Sequence, residues 1–234
     1  MINLAIVILL SYIVGSIPTS IIISKWKHGF DIRTKGSGNA GGTNAFRVLG
    51  WKSGLFVMVV DLSKGIIATV LIARLFWDPT LPFYNRTPFD DFTVIQIICG
   101  GAAIVGHIWT VFAGFKGGKG IATGAGMLIG IAPTEFAVSV AIFVIVFYSW
   151  RYVSLASISA AVAFPTSLFV RHNIFAEDIT SYRTLIVFAL LVAILLIFSH
   201  RHNIKRLIEG TENRITSASS KRRAQETQEA QEIT

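Results

Sequence analysis

The sequence predicts an all-α integral membrane protein with about seven transmembrane helices, its N-terminus outside and its C-terminus cytoplasmic. Three observations carry this expectation. The 234 residues are 53% hydrophobic and only 15% charged, where an ordinary soluble domain is roughly a quarter charged. The mean hydropathy is +0.62. Apolar runs long enough to cross a bilayer recur along the chain, separated by short polar segments. The net charge of +8 sits at the ends of those runs, as membrane orientation requires, so it does not argue for nucleic acid.

The first span covers 3–24. It begins without a basic residue and lacks a small-residue cleavage site, so it reads as a retained helix rather than a signal peptide. The segment 25–52 carries Lys25, Lys27, Arg33, Lys35, Arg47 and Lys52. After a second span at 53–76, the loop 77–91 carries Asp78, Asp90 and Asp91 with only Arg86. The positive-inside rule places the first segment in the cytoplasm and the second loop outside. The span 92–113 then returns to the cytoplasm. The apolar region 121–150 is longer than one crossing requires. Within it Pro133, followed by Thr134 and Glu135, reads as a helix start. A break there makes a short glycine-rich helix over about 118–131. It also keeps Arg201, Lys205, Arg206, Arg214, Lys221, Arg222 and Arg223 on the cytoplasmic side, whereas one continuous helix would put them outside. The last spans are 153–170 and 183–199. Residues 1–215 form one transmembrane domain, and 216–234, polar and without apolar period, form a disordered cytoplasmic tail.

Polar chemistry concentrates in a few places. Gly114-Phe115-Lys116-Gly117-Gly118-Lys119-Gly120 has four glycines and two lysines in seven residues. Such a run makes a poor helix and a good anion cradle, because glycine lets backbone N–H groups approach an oxyanion. It is not a Walker A loop: Ala113 and Gly120 occupy the positions that need Gly and Ser or Thr. As a bland object it is a basic cytoplasmic turn. An earlier segment, 35–47, mixes Ser37, Asn39, Thr43 and Asn44 with Arg47, whose fork suits phosphate or carboxylate. It reads as a polar interhelix loop. In the second span Asp61 and Lys64 are three residues apart and share a helix face. They form either a mutually satisfied pair or a route for Lys64 to a substrate phosphate. A basic juxtamembrane segment starts at Ser199 and offers His200 and Asn203 on one helix face. Cys99 is alone in an apolar run, which leaves no intrachain disulfide and no cysteine-rich metal site. His172 and Glu177 miss by one residue type the His-x4-Asp motif of acyl-CoA-using glycerolipid acyltransferases.

Together the three segments resemble the motifs of the bacterial acyl-phosphate:glycerol-3-phosphate acyltransferase family. The first is Gly36-Ser37-Gly38-Asn39 through Thr43-Asn44 to Arg47, and the second runs from Gly106-His107 through Phe115 to Thr123. The third is His200, Asn203-Ile204-Lys205-Arg206 and Gly210-Thr211-Glu212. Their order and spacing match over about 1–213. The chain departs at Ala40, where proline is frequent; at Ile108-Trp109-Thr110, in place of a Phe-Pro element; and at His202, where Glu is common. The resemblance implies transfer of an acyl group from acyl phosphate to glycerol 3-phosphate, giving 1-acylglycerol 3-phosphate and phosphate. It implies no metal and no other cofactor. Catalytic roles then fall on Ser37, Arg47, His200 and Asn203. Substrate contacts fall on Asn39, Thr43, Asn44, Lys64, His107, Lys116, Gly117, Gly118, Lys119, Gly120 and Thr123, with Ser154 a further candidate. Ser37 and Arg47 hold the acyl-phosphate head, the glycine-lysine loop holds the acceptor phosphate, and His200 and Asn203 orient groups around its hydroxyl. The base is His200 or the substrate's own phosphate, with an acylated Ser37 as a third route. The expected setting is the bacterial inner membrane with a cytoplasmic active site, supplied by a soluble enzyme that makes acyl phosphate. The rival reading is a transporter for an organic phosphate that uses the same loops as an anion site.

Overall fold

The structure, a computed structural model, describes residues 2–75 and 91–214. The expected outer-loop residues Asp78, Arg86 and Asp90 and the tail 216–234 lie outside them. All regular elements among the described residues are helical. Among the described residues six helical segments are long and apolar enough to cross a membrane: Leu4–His28, Trp51–Leu75, Phe92–Ala113, Pro133–Trp150, Val153–Asn173 and Tyr182–Ser199. A shorter apolar helix, Ile121–Ile131, has 11 residues. It reaches about 17 Å, roughly half of a ~30 Å hydrocarbon core. The break expected near Pro133 is present, with Pro133 opening the next helix.

The chain divides into two compact units. The first takes in Met1–Phe136 and Ile179–Leu185. It contains α1 (Ile2–Ser16), α2 (Thr19–His28), α3 (Gly42–Leu49) and α4 (Trp51–Ile66). A π-helical stretch, Ile67–Ile72, leads from α4 into α5 (Ala73–Leu75), and α6 (Asp91–Ile108) and α7 (Ile121–Ile131) follow. The first expected span is therefore two helices, broken where Pro18 caps α2. Proline lacks an N–H, and carbonyls freed inside a bilayer must find other donors. Here the Thr110 hydroxyl donates to the Ser16 carbonyl, and Lys64 Nζ donates to the Ile17 carbonyl at 2.6 Å. The π-helical stretch is treated likewise: buried Gln96 donates from Nε2 to the Thr69 carbonyl at 3.0 Å.

Small residues let these helices touch backbone to backbone. A Cβ on Gly65 would strike the Thr123 carbonyl of α7, and one on Gly126 would strike Leu62 of α4. Gly15 and Gly106 do the same for α1 and α6. Val7, Ala68, Ile72, Ile95, Cys99 and Ala103 fill one buried cluster, so Cys99 is a packed core residue. A second cluster, with Ile21, Ile32, Ala40, Ala45, Leu49 and Val57, anchors the segment that carries the first motif.

The second unit takes in Ala137–Asp178 and Ile186–Thr234. It holds most of α8 (Pro133–Trp150), α9 (Val153–Asn173), most of α10 (Tyr182–Ser199) and α11 (Arg201–Ile208), with α11 packed on α9. Leu191, Ile194, Leu195 and Phe198 of α10 are uncovered, as suits contact with lipid tails. After α9, Arg171 pairs with Glu177 at 2.6 Å and His172 Nδ1 lies 3.1 Å from the Glu177 carbonyl. The His172–Glu177 near-motif is thus a local loop clasp.

Candidate active site

The first motif is not a plain loop. A 3-10 turn at Ile32–Thr34 leads through a tight glycine turn into α3, so Thr43, Asn44 and Arg47 are helical. Asn44 is 2% exposed, and its amide organises the whole turn. Its Oδ1 accepts from the Ser37 N–H at 2.9 Å. Its Nδ2 faces the carbonyls of Ile32, Lys35 and Asn39 at 3.3, 3.1 and 3.0 Å. Asn44 therefore shapes the motif rather than offering its amide to a ligand, which corrects its expected role. Ser37, Thr43 and Arg47 are exposed and Asn39 is half-buried. Thr43 and Arg47, four residues apart, share one face of α3.

The second motif folds back on the end of α6. The N–H of Gly117 donates to the Ile108 carbonyl at 2.9 Å, and that of Gly118 to the His107 carbonyl at 3.0 Å. These two donors are engaged inside the protein, so they do not form the expected cradle. The reason for glycine is close approach: a Cβ on Gly117 would meet the His107 carbonyl, and one on Gly118 would meet His107 Nε2. Gly120, at φ +76°, caps α7 without a side-chain hydrogen bond. The N–H groups of the first turn of α7 therefore form a positive helix end, flanked by exposed Lys116 and Lys119.

Arg33 joins the two motifs and was not foreseen. Its Nη1 donates to the carbonyls of Ala113 and Lys116 at 2.9 and 3.1 Å. Its other nitrogens grip Asp31, Nε–Oδ1 at 3.0 Å and Nη2–Oδ2 at 2.8 Å. That bond holds the Asp31 carboxyl at about 2.

Behind the loop lies a small polar cleft of about 10 Å³, lined by Thr19, Asp61, Lys64, His107, Thr110, Gly117 and Gly118 among others. Lys64 Nζ is 2.5 Å from Asp61 Oδ1, and both residues are 2% exposed. His107 Nδ1 lies 3.7 Å from the same oxygen. Thr123, fully buried, donates to the Asp61 carbonyl at 3.0 Å. Of the two readings for Asp61 and Lys64, the mutually satisfied pair is the one observed. Lys64 still lines the cleft, while Thr123 has turned its hydroxyl to the backbone.

The third motif lies in the second unit. His200 caps α11, and its Nδ1 is 2.9 Å from the Leu196 carbonyl. That contact requires a proton on Nδ1, and in the neutral ring Nε2 then carries the lone pair. Asn203 Nδ2 donates to Glu212 Oε1 at 2.8 Å, and Arg206 Nε to Glu212 Oε2 at 2.7 Å. The buried Ser154 stands beside the same carboxylate. Hydrogen bonds from Asn203 first, and from Arg206, bring the Glu212 carboxyl down to about 2. Glu212 is thus the centre of a group of which sequence reasoning chose only Asn203 and Ser154. Its signal was its place in the third motif, Gly210-Thr211-Glu212.

Apolar helices that carry basic, glycine-lined loops at their ends define a multi-pass integral membrane protein built to handle anions. The chain matches the glycerol-3-phosphate acyltransferase family model over residues 5–210 and belongs to that family. It is 47% identical to the glycerol-3-phosphate acyltransferase of Chlorobium phaeovibrioides, over 92% of this chain and 98% of that one. It is 46% identical to that of Chlorobaculum tepidum, over 90% of this chain and 95% of the relative. The crystal structure of PlsY (YgiH), an integral membrane glycerol 3-phosphate acyltransferase, in its glycerol 3-phosphate form superposes with a TM-score of 0.64. That match has 34% identity and covers 93% of this chain and 98% of that one. The protein is a membrane enzyme that acylates glycerol 3-phosphate in phospholipid synthesis.

Proposed function

We propose that the acyl donor is acyl phosphate and that transfer to the sn-1 hydroxyl takes place at the cytoplasmic face of a bacterial inner membrane. The observation that carries this reading is the Arg33 bridge. It holds the loop with Ser37 and the loop with Lys116 as one piece of the first unit. Two loops rich in fixed cations suit two phosphate groups, one on each substrate. In this scheme Arg47 and Ser37 bind the acyl-phosphate head. Lys116, Lys119 and the start of α7 bind the acceptor phosphate, and His200 and Asn203 orient the hydroxyl. The hydroxyl oxygen attacks the acyl carbonyl, the bond from the carbonyl to the bridging oxygen breaks, and inorganic phosphate leaves. The hydroxyl proton has two acceptors in the scheme, His200 Nε2 and the substrate's own phosphate. The donor is already a mixed anhydride, so alignment and stabilisation of the leaving phosphate supply most of the rate. We take residues 1–215 as one catalytic domain with seven membrane helices, α7 being the short fourth. A soluble enzyme that makes acyl phosphate is the expected supplier.

The test uses purified protein in detergent, with no sealed compartment. Mixing acyl phosphate with glycerol 3-phosphate should release phosphate and form lysophosphatidic acid, and acyl-CoA should be inert. Equal rates with acyl-CoA would reject the donor assignment.

A further inference from the structure

At the ends of two membrane helices the first unit presents a basic depression that acyl transfer does not use. Lys27 and His28 are the last residues of the span Leu4–His28, and Trp51 and Lys52 are the first of the span Trp51–Leu75. These ends meet around an open, shallow cleft of about 550 Å³, with Leu49 and Ser53 also in its lining. Trp51 and the neighbouring Trp26 are 65% and 76% exposed. Each indole has a lysine over it: Lys27 Nζ lies 5.8 Å from the Trp26 ring, and Lys52 Nζ 5.8 Å from the Trp51 ring. Among the described residues neither lysine makes an ion pair. Asp31, the acid of this segment, is taken by Arg33 and Lys25.

Two features choose the ligand. The lining contains two ammonium groups and an imidazole but no carboxylate, so it favours an anion. Its level in the bilayer favours a lipid over a soluble partner. Residues at which two spans leave the hydrocarbon lie at the level of the headgroups, where indole rings settle and lysine stems reach out to phosphate. We propose that the cleft between Lys27 and Lys52 binds the phosphate headgroup of an anionic phospholipid, with the two exposed indoles against its glycerol and upper acyl region.

The experiment uses the full chain in phosphatidylcholine nanodiscs that contain a minor fraction of either brominated phosphatidylglycerol or brominated phosphatidylcholine, and reads quenching of tryptophan fluorescence. The brominated anionic lipid should quench more strongly than the brominated zwitterionic one. Each lysine near an anionic surface is worth about fivefold in association, so Lys27→Gln with Lys52→Gln should remove about 25-fold of the preference and make the two lipids alike. Trp26→Phe with Trp51→Phe should abolish the excess quenching, since Trp51 lines the cleft and Trp26 lies against Lys27, which also lines it. Equal quenching of the unmodified protein by the two lipids overturns the proposal. So does a preference that survives loss of both lysines or both indoles. Displacement of the quenching lipid by inorganic phosphate or glycerol 3-phosphate would mark a site for soluble phosphate and also overturn it.

Discussion

Arg47 and Gly118 separate the two phosphate roles at the scale of single residues. Arg47 is exposed on α3, and in the proposed scheme its charge matters most as phosphate departs. Arg47→Ala should lower kcat about a hundredfold, the equivalent of a charge-assisted bond of roughly 3 kcal/mol. Arg47→Lys should recover little, because an ammonium cannot reproduce the bidentate fork. Steady-state kinetics with each substrate varied in turn checks this. An intact kcat with a raised KM for glycerol 3-phosphate alone would exchange the roles of the two loops. Gly118 acts through space. Its Cβ would press on His107 Nε2 and shift the loop that carries Lys116 and Lys119. Gly118→Ala should therefore raise the KM for glycerol 3-phosphate roughly tenfold, about 1.4 kcal/mol of ground-state binding. Adding His107→Ala removes the obstruction and should return part of that loss. No relief in the double variant would show that the loop does not rest on His107.

At the scale of elements, the break between α1 and α2 depends on a buried ion pair. Lys64 serves both Asp61 and the freed Ile17 carbonyl. Lys64→Ala leaves the buried Asp61 carboxyl without its ammonium partner, which costs about 3–5 kcal/mol. Asp61→Asn with Lys64→Met removes both charges and should be the more stable of the two variants in thermal unfolding in detergent. Both variants leave the Ile17 carbonyl without its donor, so the reverse order would mean that the unpaired carboxyl is not the main cost. The clasp between α11 and Glu212 carries a pH dependence. The folded carboxyl, near 2, lies below the ordinary 4.5, so its stabilisation is complete above about 4.5 and fades as pH falls toward 2. Backbone hydrogen exchange in 203–212 should rise over that window, and Glu212→Gln should show the faster exchange already at neutral pH. A variant that exchanges like the unmodified protein at neutral pH would remove the clasp from the account.

For the whole molecule, the prediction concerns topology. Cysteines at Ser53 and Ser220 should react only from the cytoplasm, and one at Asn85 only from outside. Positions 85 and 220 lie outside the described residues. Outside labelling at 220 would make 121–150 one crossing and put α11 on the wrong face. Much of this architecture was legible because a membrane simplifies the physics: an apolar run of sufficient length has few other places to go. Hydropathy located the six long spans to within a few residues, and Pro133 marked the break that sets α7 apart. Residue types and spacing alone brought out the three polar motifs, since glycine, lysine, arginine and asparagine are conspicuous beside hydrocarbon. Sequence alone did not reveal which polar atoms face a ligand and which hold the protein together. Asn44, Thr123 and the N–H groups of Gly117 and Gly118 look like ligand contacts in one dimension and prove to be bonded internally. Arg33 looks like an ordinary surface charge and Glu212 like the last residue of a motif, and both prove to be the centres of their groups. The reason is physical. Buried donors and acceptors must be paired, and the partners lie as far apart in sequence as Ser16 and Thr110, so only the folded chain determines who pairs with whom.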